Sequence, residues 1–155
     1  MTDITEGSKA PAFDMETAAG ERVTLAGLKG RKVVVFFYPK ADTPGCTTES
    51  QDFSALIDQF EAANTTVIGV SRDPVRKLQK FQAKHDLKVV LASDEPGDVT
   101  EGWGVWVMKK LYGREYMGIE RATFLIDEQG VVRRAWRKVA VKRHAAEVLE
   151  AVQSL

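Results

Sequence analysis

The sequence predicts an α/β protein with a central mixed β-sheet flanked by helices and an N-terminal hairpin. Short apolar runs, typical of strands buried on both faces, alternate with segments of helical periodicity through much of the chain. Later, two apolar runs separated by a short turn-forming stretch predict an antiparallel hairpin, and a last amphipathic segment predicts a closing helix. Because strands that alternate with helices pair in parallel and hairpins pair antiparallel, the sheet is expected to be mixed.

Length and composition predict one globular domain that spans residues 1–155. The chain is 44% hydrophobic and 28% charged, and its 22 Lys and Arg residues balance 22 Asp and Glu residues. No net charge is therefore available to attract nucleic acid or an anionic membrane. No signal-peptide pattern and no apolar run near the roughly 18 residues of a membrane span are found. The single cysteine favours a reducing compartment, so we expect a cytoplasmic protein.

The first half of the chain is predicted to contain a hairpin, a buried strand and a helix. Residues 11–30 form the hairpin, with a glycine in its turn. Lys32 to Tyr38 form the first central strand, which Pro39 ends. After Cys46, apolar residues recur at i, i+3, i+4 and i+7 and predict an amphipathic helix that ends near Asn64. These apolar residues are Phe53, Leu56, Ile57 and Phe60.

A second strand and helix follow. Thr66 to Ser71 is predicted to be buried, and Asp73 is predicted to cap a helix that begins with Pro74. The apolar stripe of that helix consists of Val75, Leu78 and Phe81. Val89 to Ala92 is predicted to be a further short strand.

The last third begins with a polar turn, SDEPGD, whose acids we expect to be solvated before a short helix that includes Trp103. Trp106 to Met117 is predicted to form a hairpin. Ala122 to Ile126 and Val131 to Trp136 form a second hairpin across a turn that ends in glycine. The final helix has one apolar face, made of Ala145, Val148, Leu149 and Val152.

Cys46 is the candidate functional residue, because it lies at the junction where a buried strand ends and a helix begins. The unpaired N–H groups and the positive dipole end of that helix favour a thiolate, which is the nucleophilic form. A lone cysteine is otherwise most often a small buried hydrophobe. Cys46 lies outside any apolar run, between Gly45 and two threonines, which favours the functional interpretation.

Two motifs resemble those of the peroxiredoxins. PKADTPGC, which contains Pro39, Thr43 and Cys46, matches the pattern P-x-x-x-[ST]-x-x-C of that family. The surrounding sequence is similar to the Q type, also called the bacterioferritin comigratory protein type, in FYPK-x-x-TPGCT-x-E and YG-x-x-Y-x-GI-x-R-x-TFLID. The second pattern is found here as YGREYMGIERATFLID, about seventy residues after the first. The resemblance covers nearly the whole chain and implies a thioredoxin-like fold.

The resemblance also implies a thiol peroxidase that uses no cofactor. Cys46 would be the attacking thiolate, Thr43 would bind the peroxide or the sulfur, and Pro39 would shield the sulfur from water. The match at GI-x-R-x-TFLID implies that Arg121 supplies the fixed positive charge, since nothing else distinguishes it from other arginines. Glu49, one helical turn after Cys46, would orient that arginine; a plain first-turn acid that stabilises the helix dipole is as good an interpretation.

The chain departs from many Q-type relatives because it has no second cysteine to resolve a sulfenic acid. Five residues after Cys46, where such relatives place one, stands Gln51. The resemblance therefore implies a one-cysteine cycle in which an external thiol, such as glutathione, another small thiol or a thioredoxin-like protein, reduces Cys46. Pairing with Cys46 of a second copy is an alternative. We expect a monomer, with a weak dimer as the alternative.

Two other functions are left open by the residues: a one-cysteine thiol–disulfide exchange protein, and a non-enzymatic redox sensor or binding module. The absence of a C-x-x-C pair argues against the first, and the complete motif set argues against the second. No metal site is predicted, since His85 and His144 lack partners at ligand spacing and suit a surface or capping role. A basic patch of Lys109, Lys110 and Arg114 is interpreted as a solvated face.

Overall fold

The structure, a computed structural model, describes residues 4–155, which form nine strands, five α-helices and one short 3-10 helix (Ala26–Leu28). The strands are β1 (Asp14–Thr17), β2 (Arg22–Thr24), β3 (Lys32–Phe37), β4 (Thr65–Ser71), β5 (Val90–Ser93), β6 (Trp106–Leu111), β7 (Arg114–Ile119), β8 (Ala122–Ile126) and β9 (Val132–Trp136). The helices are α1 (Pro44–Ala55), α2 (Ile57–Ala62), α3 (Val75–His85), α4 (Asp98–Gly102) and α5 (His144–Gln153). Seven strands form one sheet in the order β2-β1-β5-β4-β3-β8-β9, and β6 and β7 form a separate two-stranded sheet.

Strand β3 is an interior strand of the large sheet, next to the middle strand β4. It pairs in parallel with β4 and antiparallel with β8, and β4 pairs in parallel with β5. Residues 33–37 are at most 1% exposed. Val34 and Phe36 pack into the core on one face, while Val35 and Phe37 pack into the core on the other. The predicted mixed sheet, with a strand buried on both faces, is confirmed.

Helices and loops cover both faces of this sheet. One core contains the apolar side chains of α1, α2, α3 and α5, whose main members are Phe53, Phe60, Leu78, Phe81 and Val148. The other core is built around Trp103, which follows α4 and packs against Phe13, Phe37 and Phe124. Both cores exclude water, since these side chains are at most 5% exposed. The expected arrangement of a sheet flanked by helices is therefore confirmed.

An aromatic contact fixes α1 against the sheet. The Phe53 ring stacks on Phe36 with 4.6 Å between ring centroids. The same Phe36 ring lies over Gly69 of β4, where an added Cβ atom would be 2.6 Å from a ring carbon. Only glycine leaves room for this ring, so β3, β4 and the last turn of α1 are packed together.

The single helix predicted to run from Cys46 to near Asn64 is wrong in one respect, since it is interrupted at Leu56. Leu56 has a ψ of 6°, and its N–H donates to the Phe53 carbonyl at 3.1 Å. This bond spans three residues, so it closes a tighter turn than the four-residue bond of an α-helix. Phe53 and Phe60 on either side are nevertheless fully buried. The apolar spacing therefore predicted the buried face correctly, although it did not predict the break.

The predicted helix cap at Asp73 is also wrong. Pro74, with an extended ψ of 157°, is the N-cap of α3, and no side chain caps this helix. The Asp73 carboxylate is turned towards the protein interior, where Oδ2 accepts hydrogen bonds from the Ala41 N–H at 2.7 Å and the Ser71 hydroxyl at 2.8 Å. Buried donors from two other segments thus compete successfully for this carboxylate.

The three predicted hairpins are confirmed. β1 pairs with β2, β6 with β7, and β8 with β9, all antiparallel. The β6–β7 turn consists of Tyr112 and Gly113, whose φ angles of 51° and 75° are those of a primed two-residue hairpin turn. Tyr112, at the tip of this hairpin, is 94% exposed. Among residues 4–155, no helix has the length and apolar character needed to cross a membrane.

Candidate active site

The candidate nucleophile lies in the first turn of α1. Cys46 is the third residue of this helix, and Thr43 is its N-cap. The Cys46 side chain belongs to the core that contains Phe36 and Phe53 and is 1% exposed. The strand-to-helix junction predicted from the sequence therefore places the thiol at the carboxyl end of β3, at the positive end of the α1 dipole.

The loop before α1 is held by two acids. The Ala41 N–H donates to Asp73, as described above. Asp42, with a φ of 62°, accepts hydrogen bonds from Lys84 Nζ and His85 Nε2 at the end of α3, both at 2.9 Å. These hydrogen bonds, that of His85 first, lower the pKa of Asp42. The loop is thereby tied to β4 and α3, which fixes the backbone that leads into Cys46.

The pairing of β3 with β8 brings Arg121 to Cys46 from 75 positions along the chain. Arg121 immediately precedes β8, and the next residue, Ala122, lies opposite Phe37, the last residue of β3. Arg121 Nη2 donates to Cys46 Sγ at 3.3 Å, and Nη1 donates to Glu49 Oε1 at 2.7 Å. One guanidinium therefore bridges the thiol and a carboxylate one helical turn later.

The Arg121–Glu49 pair is enclosed by protein. The Glu49 side chain is 1% exposed and that of Arg121 is 18% exposed. Burial raises the pKa of Glu49 to about 7, against the opposing effect of Arg121. Burial works to lower the pKa of Arg121, but the charges of Glu49 and Cys46 outweigh it and raise that pKa. Arg121 thus stays charged next to the sulfur, where a positive charge favours the thiolate.

The start of α1 supplies further donors. The first hydrogen bond of the helix runs from the Thr47 N–H to the Thr43 carbonyl at 2.8 Å. The N–H groups of Gly45 and Cys46 have no acceptor within residues 4–155 and can bind a negatively charged oxygen. Gly45 also lies against the guanidinium, since a Cβ atom there would be 3.3 Å from Arg121 Nη2. Glycine therefore allows Arg121 its close approach to the helix.

Thr43 and Pro39 lie in the same loop. The Thr43 hydroxyl donates to the Lys40 carbonyl at 2.7 Å. Of the two possibilities that the sequence left open, this bond favours acceptance by Thr43 over donation to the sulfur, because its proton is already engaged. Pro39 directly follows the buried Tyr38 and is itself half-buried. The structure therefore brings Cys46, Glu49 and Arg121 into direct contact, with Thr43 and Pro39 in the adjoining loop.

His144 departs from expectation. The sequence suggested a surface or capping role, but the side chain is 4% exposed and its ring lies edge-on against Phe53 and Trp136. Its Nε2 is 2.8 Å from the hydroxyl of Thr123. Burial, with a smaller effect of Arg121, lowers the pKa of His144 to about 4, so the ring is neutral at pH 7. Its place in the apolar period of α5 could have indicated this burial.

Two other polar expectations are corrected. Asp94, in the turn predicted to be solvated, is 1% exposed and accepts hydrogen bonds from three backbone N–H groups at the start of α4. Lys109, assigned to a solvated basic face, is half-buried, whereas Lys110 and Arg114 are exposed. In the described part of the chain, no group of three or more His, Cys, Asp or Glu side chains is arranged to hold a metal ion.

Comparison with known proteins identifies the family of this chain. The model of the AhpC/TSA family matches residues 7–135. The chain is 45% identical to peroxiredoxin Bcp of Bacillus subtilis, over 98% of this chain and 97% of the relative. It is 41% identical to peroxiredoxin Bcp of Xanthomonas campestris, over 99% and 98%.

Solved structures give the same result. A structure of Xanthomonas campestris peroxiredoxin Q superposes with a TM-score of 0.88 at 41% identity, covering 92% of this chain and 90% of the other. A cysteine-to-serine mutant of Xylella fastidiosa PrxQ superposes with a TM-score of 0.94 at 34% identity, covering 99% and 98%. Another match, with a TM-score of 0.88 at 40% identity over 92% and 90%, comes from work on alkyl peroxide reduction by Xanthomonas campestris bacterioferritin comigratory protein. The chain thus belongs to the AhpC/TSA family and is a thiol peroxidase, a peroxiredoxin of the Bcp or Q type with a single cysteine.

Proposed function

We propose that this protein reduces hydrogen peroxide and small organic hydroperoxides by direct attack of the Cys46 thiolate. The observation that carries the proposal is the contact of Arg121 with both Cys46 Sγ, at 3.3 Å, and Glu49, at 2.7 Å. A fixed guanidinium beside the sulfur favours the thiolate and can also bind a peroxide oxygen. The alkyl peroxide reduction described for the Xanthomonas campestris relative supports organic hydroperoxides as substrates.

In the first half-reaction the sulfur attacks the terminal peroxide oxygen. The S–O bond forms as the O–O bond breaks, Cys46 becomes a sulfenic acid, and the leaving hydroxide or alkoxide takes a proton to give water or an alcohol. Negative charge moves from sulfur to the leaving oxygen during this step. Arg121 and the free N–H groups of Gly45 and Cys46 are the donors that can stabilise that charge.

Two residues of the loop are assigned supporting roles. Because the Thr43 hydroxyl donates to Lys40, its lone pairs can accept the O–H of the peroxide and orient the bond to be broken. Pro39 has no N–H and limits the access of water to the sulfur, which strengthens the electrostatic interactions there. Glu49 holds the guanidinium through Nη1, so that Nη2 is directed at the sulfur.

The second half-reaction needs an external thiol, since the sequence contains no other cysteine. One thiol condenses with the sulfenic acid to give a mixed disulfide and water, and a second thiol releases Cys46 and forms the oxidised reductant. Glutathione, another small thiol and a thioredoxin-like protein all have the required chemistry. Pairing with Cys46 of a second copy is disfavoured because this side chain is 1% exposed, so we propose that the protein works as a monomer.

We also propose that the whole chain acts as one domain in the cytoplasm. One sheet links the N-terminal hairpin to the C-terminal strands, and the functional residues come from α1 and from the start of β8. A lone reduced thiol suits a reducing compartment.

The test is the mass of the intact protein after one equivalent of hydrogen peroxide, with the rate followed by stopped flow and Cys46→Ser as control. A rapid gain of one oxygen that persists until thiol is added supports the proposal. Oxidation no faster than that of free cysteine, or peroxidase activity retained by Cys46→Ser, overturns it. A disulfide-linked dimer would retain the peroxidase but would refute the monomeric cycle.

A further inference from the structure

The peptide unit between Lys40 and Ala41 is held at both of its ends. Its N–H, on Ala41, donates to Asp73 Oδ2 at 2.7 Å. Its C=O, on Lys40, accepts a hydrogen bond from the hydroxyl of Thr43 at 2.7 Å. Because a peptide unit is planar and rigid, the direction of its N–H fixes the direction of its C=O. The Asp73 carboxylate and the Thr43 hydroxyl are therefore joined through one rigid group.

The large sheet holds Asp73 in place. The Asp73 side chain is 8% exposed, and Oδ2 also accepts a hydrogen bond from the Ser71 hydroxyl at 2.8 Å. The Asp73 carbonyl accepts one from the Ser93 hydroxyl at 2.6 Å. Ser71 and Ser93 are paired with each other at the ends of β4 and β5. The carboxylate is thus fixed to the sheet, and it fixes in turn a loop of turns and bends before α1.

The carboxylate also strengthens the hydrogen bond that Thr43 makes. A carboxylate that accepts the N–H of a peptide unit polarises that unit, so its carbonyl oxygen becomes a stronger acceptor. The Lys40 carbonyl therefore holds the Thr43 proton more tightly, and the lone pairs of the hydroxyl stay turned away from Lys40. Thr43 is the N-cap of α1, but its side chain accepts no hydrogen bond from the described residues of that helix. Its lone pairs can consequently accept the O–H of a peroxide.

We propose that Asp73 is a positioning residue for the peroxide step and acts through the Lys40–Ala41 peptide unit on the hydroxyl of Thr43. The proposal rests on the role assigned to Thr43 above and states what keeps that hydroxyl in its accepting orientation. With the Thr43 lone pairs fixed, the peroxide is held with its O–O bond directed at the sulfur. Asp73 thereby accelerates the attack, although it takes part in no bond change.

The test compares two reactions of the Cys46 thiolate. Oxidation by hydrogen peroxide, followed by stopped flow, depends on the orientation of the peroxide. Alkylation by iodoacetamide needs the same thiolate and the same access to the sulfur, but it involves no peroxide O–H for Thr43 to accept. The ratio of the oxidation rate to the alkylation rate therefore reports the positioning of the peroxide. Changes in the fraction of thiolate or in access to the sulfur cancel in this ratio.

The variants separate positioning from stability. Asp73→Asn can keep an oxygen at the place of Oδ2 but loses the negative charge, and Thr43→Val removes the hydroxyl with little change of shape. The matched control is Asp127→Asn. Asp127 is likewise buried, and its Oδ1 accepts hydrogen bonds from the N–H groups of Gln129 and Val131 at 2.9 and 3.0 Å, but it lies at the other end of β8 from the active site. An effect of lost stability alone would therefore appear in both asparagine variants.

We expect Asp73→Asn to lower the rate ratio roughly three- to tenfold, since hydrogen bonds to a charged acceptor are about twice as strong as those to a neutral one. Asp127→Asn should keep the native ratio to within about twofold, because it is distant from the site. Thr43→Val should lower the ratio at least as much as Asp73→Asn. The double variant Thr43→Val, Asp73→Asn should have the same ratio as Thr43→Val alone, because both changes remove the same orientation.

Each contrary result identifies what has failed. If Asp73→Asn keeps the native ratio while Thr43→Val lowers it, positioning by Asp73 is refuted and the role of Thr43 stands. If Asp73→Asn lowers the ratio by the same factor with and without the Thr43 hydroxyl, Asp73 acts by another route and the proposal is refuted. If native Cys46 is alkylated but reacts with peroxide no faster than free cysteine, the peroxidase function itself fails, and positioning of a peroxide fails with it.

Discussion

Replacement of Arg121 by glutamine is the most direct test of the site, because this one side chain contacts both the sulfur and Glu49. Two unit charges 3.3 Å apart attract by about 5 kcal/mol at an effective dielectric constant of about 20. Part of this attraction is offset by the opposite charge of Glu49, and removal of a preoriented donor typically costs about 3 to 4 kcal/mol of transition-state stabilisation. We therefore predict that Arg121→Gln slows oxidation of Cys46 by a factor of roughly 10²–10³.

The same variant is expected to lose stability for a separate reason. It leaves the Glu49 carboxylate buried without its partner, a change that costs about 3–5 kcal/mol when the charge is retained. Because the pKa of Glu49 is already raised to about 7, uptake of a proton limits the loss at acid pH. The double variant Glu49→Gln, Arg121→Gln removes the buried charge altogether, so it should recover most of the stability without recovering the rate.

The assay combines the stopped-flow rate of Cys46 oxidation by hydrogen peroxide with urea denaturation of the native protein and both variants. The reasoning is refuted if Arg121→Gln, still folded, reacts within threefold of the native rate. It is also refuted if the double variant regains the rate together with the stability, since the guanidinium would then matter only for folding.

Three further changes have definite expected outcomes. Gly45→Ala pushes the Arg121 guanidinium away by a few tenths of an ångström and should slow the oxidation of Cys46 by peroxide roughly three- to tenfold. The control is Gly102→Ala, which has open space around its Cβ position and should leave the stopped-flow rate unchanged. His144 has a folded-state pKa of about 4 against about 6.5 when unfolded, so the unfolded chain binds the proton first and the stability from the neutral ring is lost as pH falls from 6.5 towards 4. The stability of the native protein relative to His144→Gln, measured by urea denaturation, should therefore decline from pH 7 to pH 5, and a constant difference would contradict this. Asp73→Ala leaves two buried donors without an acceptor and should lower the free energy of unfolding by about 2 to 4 kcal/mol, with a smaller loss in Asp73→Asn.

The fold could be predicted from the sequence wherever one hydrophobic period dominates. The run from Val33 to Phe37 is apolar at every position because both faces are buried, and it proved to be an interior strand paired on both sides. The apolar stripe of α3 was predicted because its residues recur with the period of a helix. The helix break at Leu56 was missed because its apolar neighbours keep their spacing on both sides.

Positions set by contacts distant in sequence could not be predicted from local pattern. Asp73 has the residue type and place of a helix cap, but the N–H of Ala41, 32 residues away, and the hydroxyl of Ser71 bind its carboxylate. Cys46 could be singled out by its place at the junction of a strand and a helix. Arg121 was identified only through a family motif, because it is 75 positions from Cys46 in the sequence and only the pairing of β3 with β8 brings the two together. Lys109 gave no local signal of its half-burial, because its side chain lies across Gly118 of the strand that pairs with its own.

The distance along the chain between Cys46 and Arg121 also orders events during synthesis. Protein chains are made from the N-terminus, so the ribosome delivers the thiol well before it delivers the strand that carries the guanidinium. Until β8 pairs with β3, Cys46 lacks the guanidinium that contacts its sulfur in the folded protein. The sulfur is therefore made before the positive charge that faces it, and the two groups meet only when β8 joins the sheet. Pairing of β8 with β3 is thus the folding step that completes the site.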